Sequence, residues 1–316
     1  MNATLEVSVV LPTYNRAADL ERAVESVLQQ TADPRVYEVI VVDNNSTDGT
    51  GQVLDRLKAR YPGQLRTVVE RQQGVSHARN AGIAAALAPI VAFFDDDVRV
   101  APDWIETIIR VFRDNPGIEV VGGKVLPDWP APPPDWLTPA HWSPLALQDF
   151  GDRPMLMSAS NPRGLISANL ACRQSVFQRI GGFSPVFQRV KDAIGSLEDG
   201  EWNRRLWDAG LSGLYVPQLL TSTHVPWDRL TRGYHRRWHT GHGYFYALLR
   251  APEMETSGVG SLWGVPAHLY RSSLEAFASW ASDMLRGRPD KAFAHEVKLR
   301  FFRGFLRQRL TERFHS

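Results

Sequence analysis

Through its first 125 residues the chain alternates between two periodicities, and this alternation restricts the fold more than any other feature. Short β-branched runs occupy Val7–Leu11, Val39–Asp43, Leu65–Val69, Ile90–Phe94 and Glu119–Val125. Between them lie helix-like stretches at Ala17–Gln30, Thr50–Arg60, Ser76–Leu87 and Pro102–Arg113. Pro102 suits the first turn of its helix, where a backbone N–H is not needed and φ is already helical. Strands separated by single helices have the long crossovers that parallel pairing requires. The pattern predicts an α/β fold, a mainly parallel Rossmann-like sheet flanked by helices on both faces. In such sheets ligands bind beyond the carboxyl ends of the strands, so the residues just after each run are where chemistry is expected.

Three of those strand ends are densely polar: Pro12-Thr13-Tyr14-Asn15-Arg16, Asp43-Asn44-Asn45-Ser46-Thr47-Asp48-Gly49, and Asp95-Asp96-Asp97. Asn, Ser, Asp and Gly are also the residues of turns and helix caps, so the second segment reads equally as a turn. Three adjacent aspartates after an apolar strand are harder to explain structurally. Their repulsion costs free energy unless a cation or a basic side chain offsets it. The single cysteine, Cys172, excludes an internal disulfide and any thiol-rich metal cluster, and it suits a reducing, cytoplasmic setting. No stretch approaches the roughly 20 apolar residues of a bilayer span. The apolar run at the N-terminus stops at Pro12, too short for a signal-peptide core. A net charge of +2 argues against a surface that coats nucleic acid.

The second half changes character. The segment from Pro127 to Pro144 contains seven prolines, with Trp129, Trp136 and Trp142. That density prevents regular helix or internal strand and reads as a flap, either packed or stacking on a ligand. Ile166–Ala171 reads as a strand, followed by a helix to Ile180 that Gly181-Gly182 stops. Another helix begins at Glu198-Asp199-Gly200-Glu201 and ends near Gly210, and Leu214–Val216 reads as a last short strand before His224. From residue 226 onward there are 15 basic and 8 acidic residues, against 21 and 26 in residues 1–225, so the near-neutral total is a cancellation. Asp290–Leu310 sets Ala294, Val297, Phe301, Phe302, Phe305 and Leu306 on one face of a basic amphipathic helix. Such a helix either packs on the main domain or meets a membrane surface. His235, His239 and His242 have helical spacing but lack a zinc-protease glutamate, and they read as part of a basic patch.

Taken in order, these segments resemble glycosyltransferase family 2, inverting enzymes of the GT-A fold. The resemblance runs through Val-Val-Leu-Pro-Thr-Tyr-Asn-Arg at 9–16, Val-Ile-Val-Val-Asp-Asn-Asn-Ser-Thr-Asp-Gly-Thr at 39–50 and Ala-Arg-Asn-Ala-Gly at 78–82. It continues through Phe-Phe-Asp-Asp-Asp at 93–97, Ser-Ala-Asn-Leu-Ala at 167–171, Gly-Gly-Phe at 181–183 and Glu-Asp-Gly-Glu at 198–201. The stretch His224–Thr231 looks like bacterial members that work on polysaccharides or cell-envelope glycans. The resemblance implies a GT-A catalytic domain over 1–225. Its nucleotide-sugar half would be 1–125 and its acceptor half 126–225, carrying the flap at 127–144. Residues 226–316 form a basic helical extension.

The same resemblance assigns roles. Pro12, Tyr14 and Asp43 fall at the nucleobase end, and Arg16 and Arg79 are cations for the diphosphate or for the aspartates. Asp95 contacts ribose or the metal's water shell, Asp96 lies beside it, and Asp97 binds a divalent metal, with His224 as a further candidate ligand. Oxygen donors without thiols suit Mg2+ or Mn2+ better than zinc. Asp199 is the implied general base and Glu198 its neighbour. The expected activity is inverting transfer from a UDP-, GDP- or dTDP-sugar to a hydroxyl of a glycan or lipid-linked saccharide. The expected location is cytoplasmic, with peripheral contact at the inner face of the membrane through the basic C-terminal helices. A non-catalytic nucleotide-sugar-binding scaffold on the same fold, or a sugar nucleotidyltransferase, are the alternatives. The second would want a glycine-rich basic loop after the first strand, which Pro12–Arg16 does not supply.

Overall fold

The computed structural model describes residues 4–188, 194–251, 254–255 and 260–315. Two compact units emerge. The first comprises the chain up to 128 with 146–188 and 198–224; the second comprises 129–145, 194–197 and the chain from 225. The proline-rich segment after Asp128 thus groups with the C-terminal helices by packing, whereas the sequence division placed it with the acceptor half.

The first unit is built on a nine-stranded sheet. Strands β1 (Val7–Thr13), β2 (Tyr37–Asp43), β3 (Leu65–Val69) and β4 (Ile90–Phe93) form its parallel half, in the order β3-β2-β1-β4. Helices α1 (Leu20–Leu28), α2 (Thr50–Arg60) and α3 (Val75–Ala85) are the crossovers. Strand β1 is buried along its whole length, as a central parallel strand must be. Pro12 is tolerated there because pairing with β4 ends at Val10↔Phe93, so the missing N–H falls beyond that ladder.

The rest of the sheet is mixed. Strand β5 (Val98–Val100), helix α4 (Trp104–Asp114), β6 (Val120–Asp128), β7 (Met155–Met157), β8 (Leu170–Arg173), α5 (Gln174–Ile180), α6 (Glu198–Asp208) and β9 (Gly213–His224) follow. Strand β8 runs antiparallel to both β4 and β6, whereas β6 and β9 are parallel. Strand β9 is twelve residues long, not the three expected. Its Thr221-Ser222-Thr223 end lacks an apolar run but pairs with β5 on one side and β6 on the other. The expected strand from Ile166 begins only at Leu170; Ser167–Asn169 is a 3-10 turn. Asn169 explains this, since its amide donates to the carbonyls of Lys124 and Leu219 and accepts from the Trp104 indole, each at 2.8 Å. The predicted helix stop is observed: Gly181 has φ +78°, a conformation side chains resist. Phe93, Phe183 and Trp202 fill the core behind the site, with Phe183 stacked on Trp202 at 5.4 Å. Burying each such ring contributes roughly 1.5–3 kcal/mol.

The second unit is helical. Helices α7 (Arg232–Leu249) and α8 (Ala267–Leu285) both pack on α9 (Pro289–His315), and a short hairpin of β10 (Ser261–Leu262) and β11 (Val265–Pro266) lies between α7 and α8 in the chain. A Cβ on Gly243 would meet the Phe301 carbonyl oxygen at 2.0 Å, and one on Gly304 the Thr240 oxygen at 1.9 Å. These glycines let α7 and α9 approach closely. The apolar face foreseen on α9 is consumed by that packing: Phe305 clusters with Ala247, Val265 and Leu269, and Phe301 and Phe302 pack against this cluster. Trp136 of the proline-rich segment meets His141, His235 and Phe293 edge-on, at 5.0–5.7 Å. Among the described residues, no helix is long and apolar enough to cross a membrane.

Candidate active site

The polar strand ends converge at the carboxyl end of the parallel strands. After β1 the chain turns through Asn15, at φ +51°, and after β2 through Asn45, at φ +63°. Asn is among the few side-chain residues that enter this region readily. The two loops are stitched together. The Thr47 N–H donates to Asn15 Oδ1 at 2.8 Å, and the Asn15 N–H donates to Ser46 Oγ at 3.0 Å. The Arg16 N–H reaches Thr50 Oγ1 at 3.0 Å. One Asp43 oxygen accepts the Ser46 N–H at 3.0 Å, so Asp43 closes its own turn beside Thr13, its register partner on β1. Tyr14 is 45% exposed at the rim.

The three aspartates after β4 divide between two cations. Asp96 accepts from Thr13 Oγ1 at 2.8 Å, with Arg16 Nε at 3.7 Å. Arg16 also lies 3.8 Å from Asp97. Burial first, and the Asp97 charge second, push the Asp96 carboxyl up to about 7 against the pull of Arg16 and Thr13. Asp95 turns to the other cation, accepting from Arg79 at 3.0 Å.

Arg79 organises the second half of the site. It sits on the buried face of α3, only 3% exposed, and lies over the Phe183 ring at 5.4 Å. Its guanidinium touches Asp95, Glu198 at 3.3 Å and Asp199 at 3.8 Å. Burial alone would lower its pKa, but the Asp95, Asp199 and Glu198 carboxylates together raise it. A buried arginine with three acidic neighbours stays charged, which is what permits those acids to lie close together.

Glu198 and Asp199 open helix α6, where the helix dipole favours negative charge. Glu198 is buried on Arg79. Asp199 accepts at one oxygen from both the N–H and the hydroxyl of Ser167, each at 3.1 Å. Its other oxygen, Oδ1, has no hydrogen-bond partner. Burial, opposed by Arg79 and reinforced by Glu198, pushes the Asp199 carboxyl up to about 6. A carboxylate pinned at one oxygen, without a hydrogen bond at the other and with its pKa raised by burial has the attributes of a general base. Glu201 instead pairs with Arg205 at 2.6 Å and serves the helix.

The structure therefore brings Arg16, Arg79, Asp95, Asp96, Asp97, Glu198 and Asp199 into one network of contacts. His224, at the exposed end of β9, joins through its backbone, its N–H donating to the Asp97 carbonyl at 3.4 Å. Thr13, Ser167 and Asn44 were not assigned roles from sequence. Asn44 accepts the Gly74 N–H at 2.7 Å and donates to the Glu70 and Gln72 carbonyls, fixing the loop that leads into α3. Ser167 stood within a quoted motif, but only the turn at 167–169 reveals that it faces Asp199.

Among the described residues, no three His, Cys, Asp or Glu side chains group as a metal cage. The donors beside Asp97 are all carboxylates, which fits a hard cation that keeps water or phosphate oxygens in most of its coordination positions. The expected histidine patch is not a site. His235 is fully buried and His242 stacks on Trp238 at 4.3 Å. Desolvation holds His235 and His242 at about 4 and His239 at about 3, so all three rings are neutral, His235 within an aromatic core and the other two half-buried beside Trp238.

Comparison with known proteins identifies the family and the fold. The sequence model of the family described as "Glycosyl transferase family 2" matches residues 8–181. A Haloferax volcanii protein named "Glycosyltransferase AglE" is 32% identical over 221 residues, covering 70% of this chain and 67% of its own length. The "Glucosyl-dolichyl phosphate glucuronosyltransferase" of the same organism is 32% identical over 185 residues, 57% of this chain and 56% of that protein. The chain thus matches little more than half the length of that relative. Among solved structures, the Pyrobaculum calidifontis mannosyltransferase PcManGT, in complex with GDP-Man and Mn2+, superposes with a TM-score of 0.57 at 19% identity. That match covers 94% of this chain and 87% of the other. S. aureus TarS 1-349 with UDP-GlcNAc gives 0.57 at 15% identity, covering 99% and 93%. These likenesses establish the fold.

Proposed function

The chain belongs to glycosyltransferase family 2, and from that premise we propose that it transfers a sugar from a nucleotide-sugar donor to an acceptor hydroxyl with inversion at the anomeric carbon. The observation that carries this reading is Arg79, whose single guanidinium touches both Asp95 of the aspartate triplet and Asp199 at the head of α6. A donor-binding end and a proton acceptor are thereby held side by side.

In this reading the nucleotide lies over the ends of β1 and β2, with exposed Tyr14 available for stacking on the base and Pro12 and Asp43 shaping the loop beneath it. Arg16 faces the diphosphate. Asp97, with His224 close by, would hold Mg2+ or Mn2+, which would offset the charge that develops on the departing diphosphate. The bound Mn2+ of the mannosyltransferase neighbour supports that choice. Asp199 Oδ1 removes the acceptor proton as the hydroxyl oxygen attacks opposite the leaving group. One base suffices and no covalent intermediate forms. Ser167 and Glu198 orient Asp199, the second through Arg79.

The acceptor we favour is a glycan or lipid-linked saccharide, with the protein held peripherally at the inner face of a membrane. The dolichyl phosphate substrate named for one relative supports it. The test is release of nucleoside diphosphate from a panel of UDP-, GDP- and dTDP-sugars with Mg2+ or Mn2+. At least one donor should be turned over, and Asp97→Ala should lose both turnover and metal-dependent thermal stabilisation by that donor. Donor stabilisation that is unchanged in Asp97→Ala would remove Asp97 from the metal site.

A further inference from the structure

The C-terminal unit exposes its apolar stripe on α8, while the amphipathic face read from sequence on α9 is packed inward. Helix α8 packs inward through Leu269 and Ala276, and Tyr270 meets Phe302 of α9 at 5.2 Å. Its apolar arc continues past that contact. Leu274, Phe277, Met284 and Leu285 are 70%, 54%, 48% and 89% exposed, and with Ala281 they form one helical stripe. A helix facing water alone carries charged residues at such positions.

The stripe borders a groove of about 410 Å3. Phe277, Trp280 and Met284 form one wall, and Leu299, Arg300 and Arg303 of α9 line it as well. Arg232 and Arg236, from the start of α7, also line it. Glu296, the acid in this lining, accepts from both Arg236 and Arg300 at 2.8 Å and is already neutralised. Arg286, Arg288 and Lys291 follow the stripe at its C-terminal end, all exposed. Of the other nearby acids, Asp290 pairs with Arg232 and Glu275 with Arg271 at 3.8 Å, while Asp283 lies 3.6 Å from His295; Arg303, Arg286, Arg288 and Lys291 still leave the cations in excess. The surface is therefore apolar along its centre and cationic around its edge.

We propose that this face of α8, with its arginine rim, seats the protein on an anionic phospholipid bilayer; the assignment rests on the peripheral location argued above and names the surface that achieves it. The apolar side chains enter the boundary between headgroups and acyl chains, Trp280 sits at headgroup depth, and the guanidiniums meet lipid phosphates. Charge complementarity selects this occupant over a second copy of the chain. A two-fold contact would set the same cationic rim against itself. Helix α8 lies along the surface rather than through it, since Arg271, Glu275 and Asp283 interrupt its sequence.

The test is co-sedimentation of the full chain with phosphatidylglycerol–phosphatidylcholine vesicles and with pure phosphatidylcholine. Binding should need phosphatidylglycerol and weaken at high salt. The Phe277→Ser/Leu285→Ser double variant should lose about tenfold or more in vesicle affinity, with unchanged thermal unfolding and sugar-nucleotide binding. Lys298→Gln, on α9, should bind as the parent does. If the parent protein ignores both vesicle types, the peripheral location and this surface fall together. If it binds and the double variant binds equally well, only the assignment to α8 falls. Equal binding to pure phosphatidylcholine, or a solution dimer that the double variant dissolves without any vesicle binding, would also overturn it.

Discussion

The sheet unit buries a cluster of charges around Arg79, whereas burial holds the histidines of the helical unit neutral. Arg79 lies among Asp95, Glu198 and Asp199, and each charge there is held by an opposite one. His235, His239 and His242 lie among aromatic rings with pKa values pushed well below the ordinary imidazole range by burial. Apart from Arg309, which is buried against Glu255 and Glu312, the helical unit keeps its arginines and lysines largely at the surface, where they border α8 and α9. Desolvating a charge is tolerable only beside a partner, so each buried arginine sits among carboxylates, while a buried histidine sheds its proton and packs. The near-zero net charge of the chain hides this division.

The largest expected effect breaks the charged half at its proton acceptor. Asp199→Asn should keep donor binding, read by thermal shift, while turnover falls by about 10²–10⁴-fold. Loss of folding and donor binding together would assign Asp199 a structural role instead. Next is the cation. Arg79→Met leaves three carboxylates unpaired and should destabilise the sheet unit by about 3–5 kcal/mol, measured by urea unfolding. Removing the pull of Arg79 also shifts the acidic limb of the turnover profile to higher pH.

Acid should affect the two units by different routes. Asp199 must be ionised to accept a proton, so turnover should fall as pH drops through about 6. In the helical unit the unfolded histidines take protons below about 6.5, while folded His235 resists until about 4. Stability is therefore complete above the higher value and lost as pH falls between the two, by up to about 3 kcal/mol for His235 alone. Hydrogen exchange of α7 should accelerate across that window; unchanged protection would show that the aromatic packing tolerates a charged ring. The smallest effect belongs to the helix pair Glu201–Arg205: Glu201→Gln should cost about 0.5 kcal/mol and leave turnover unchanged.

The parallel half of the sheet was legible almost residue for residue. Leu65–Val69 and Thr50–Arg60 are read at their observed limits, and the central strands β1 and β2, buried along nearly their whole length, leave the strongest pattern. Beyond Phe94 legibility declined for physical reasons. Strand β9 is half polar, since alternate residues face side chains or solvent rather than core. The Ser167 turn is set by Asn169 and its three long-range hydrogen bonds, partners far away in sequence. The histidines of α7 have a ligand-like spacing, yet burial in rings decides their state.

The sequence by itself determined the family, the strand–helix order and which acidic residues lie at strand ends, because local periodicity and motif order are properties of neighbouring residues. Only the tertiary structure decided which charges meet and which apolar face is left uncovered. Arg79 joins Asp95 to Asp199 across more than a hundred residues, and of the two readings open for the apolar face of α9 the structure takes packing, against α7, while the stripe on α8 is left uncovered. Pairing and coverage are long-range properties, set by desolvation and close packing rather than by any local pattern.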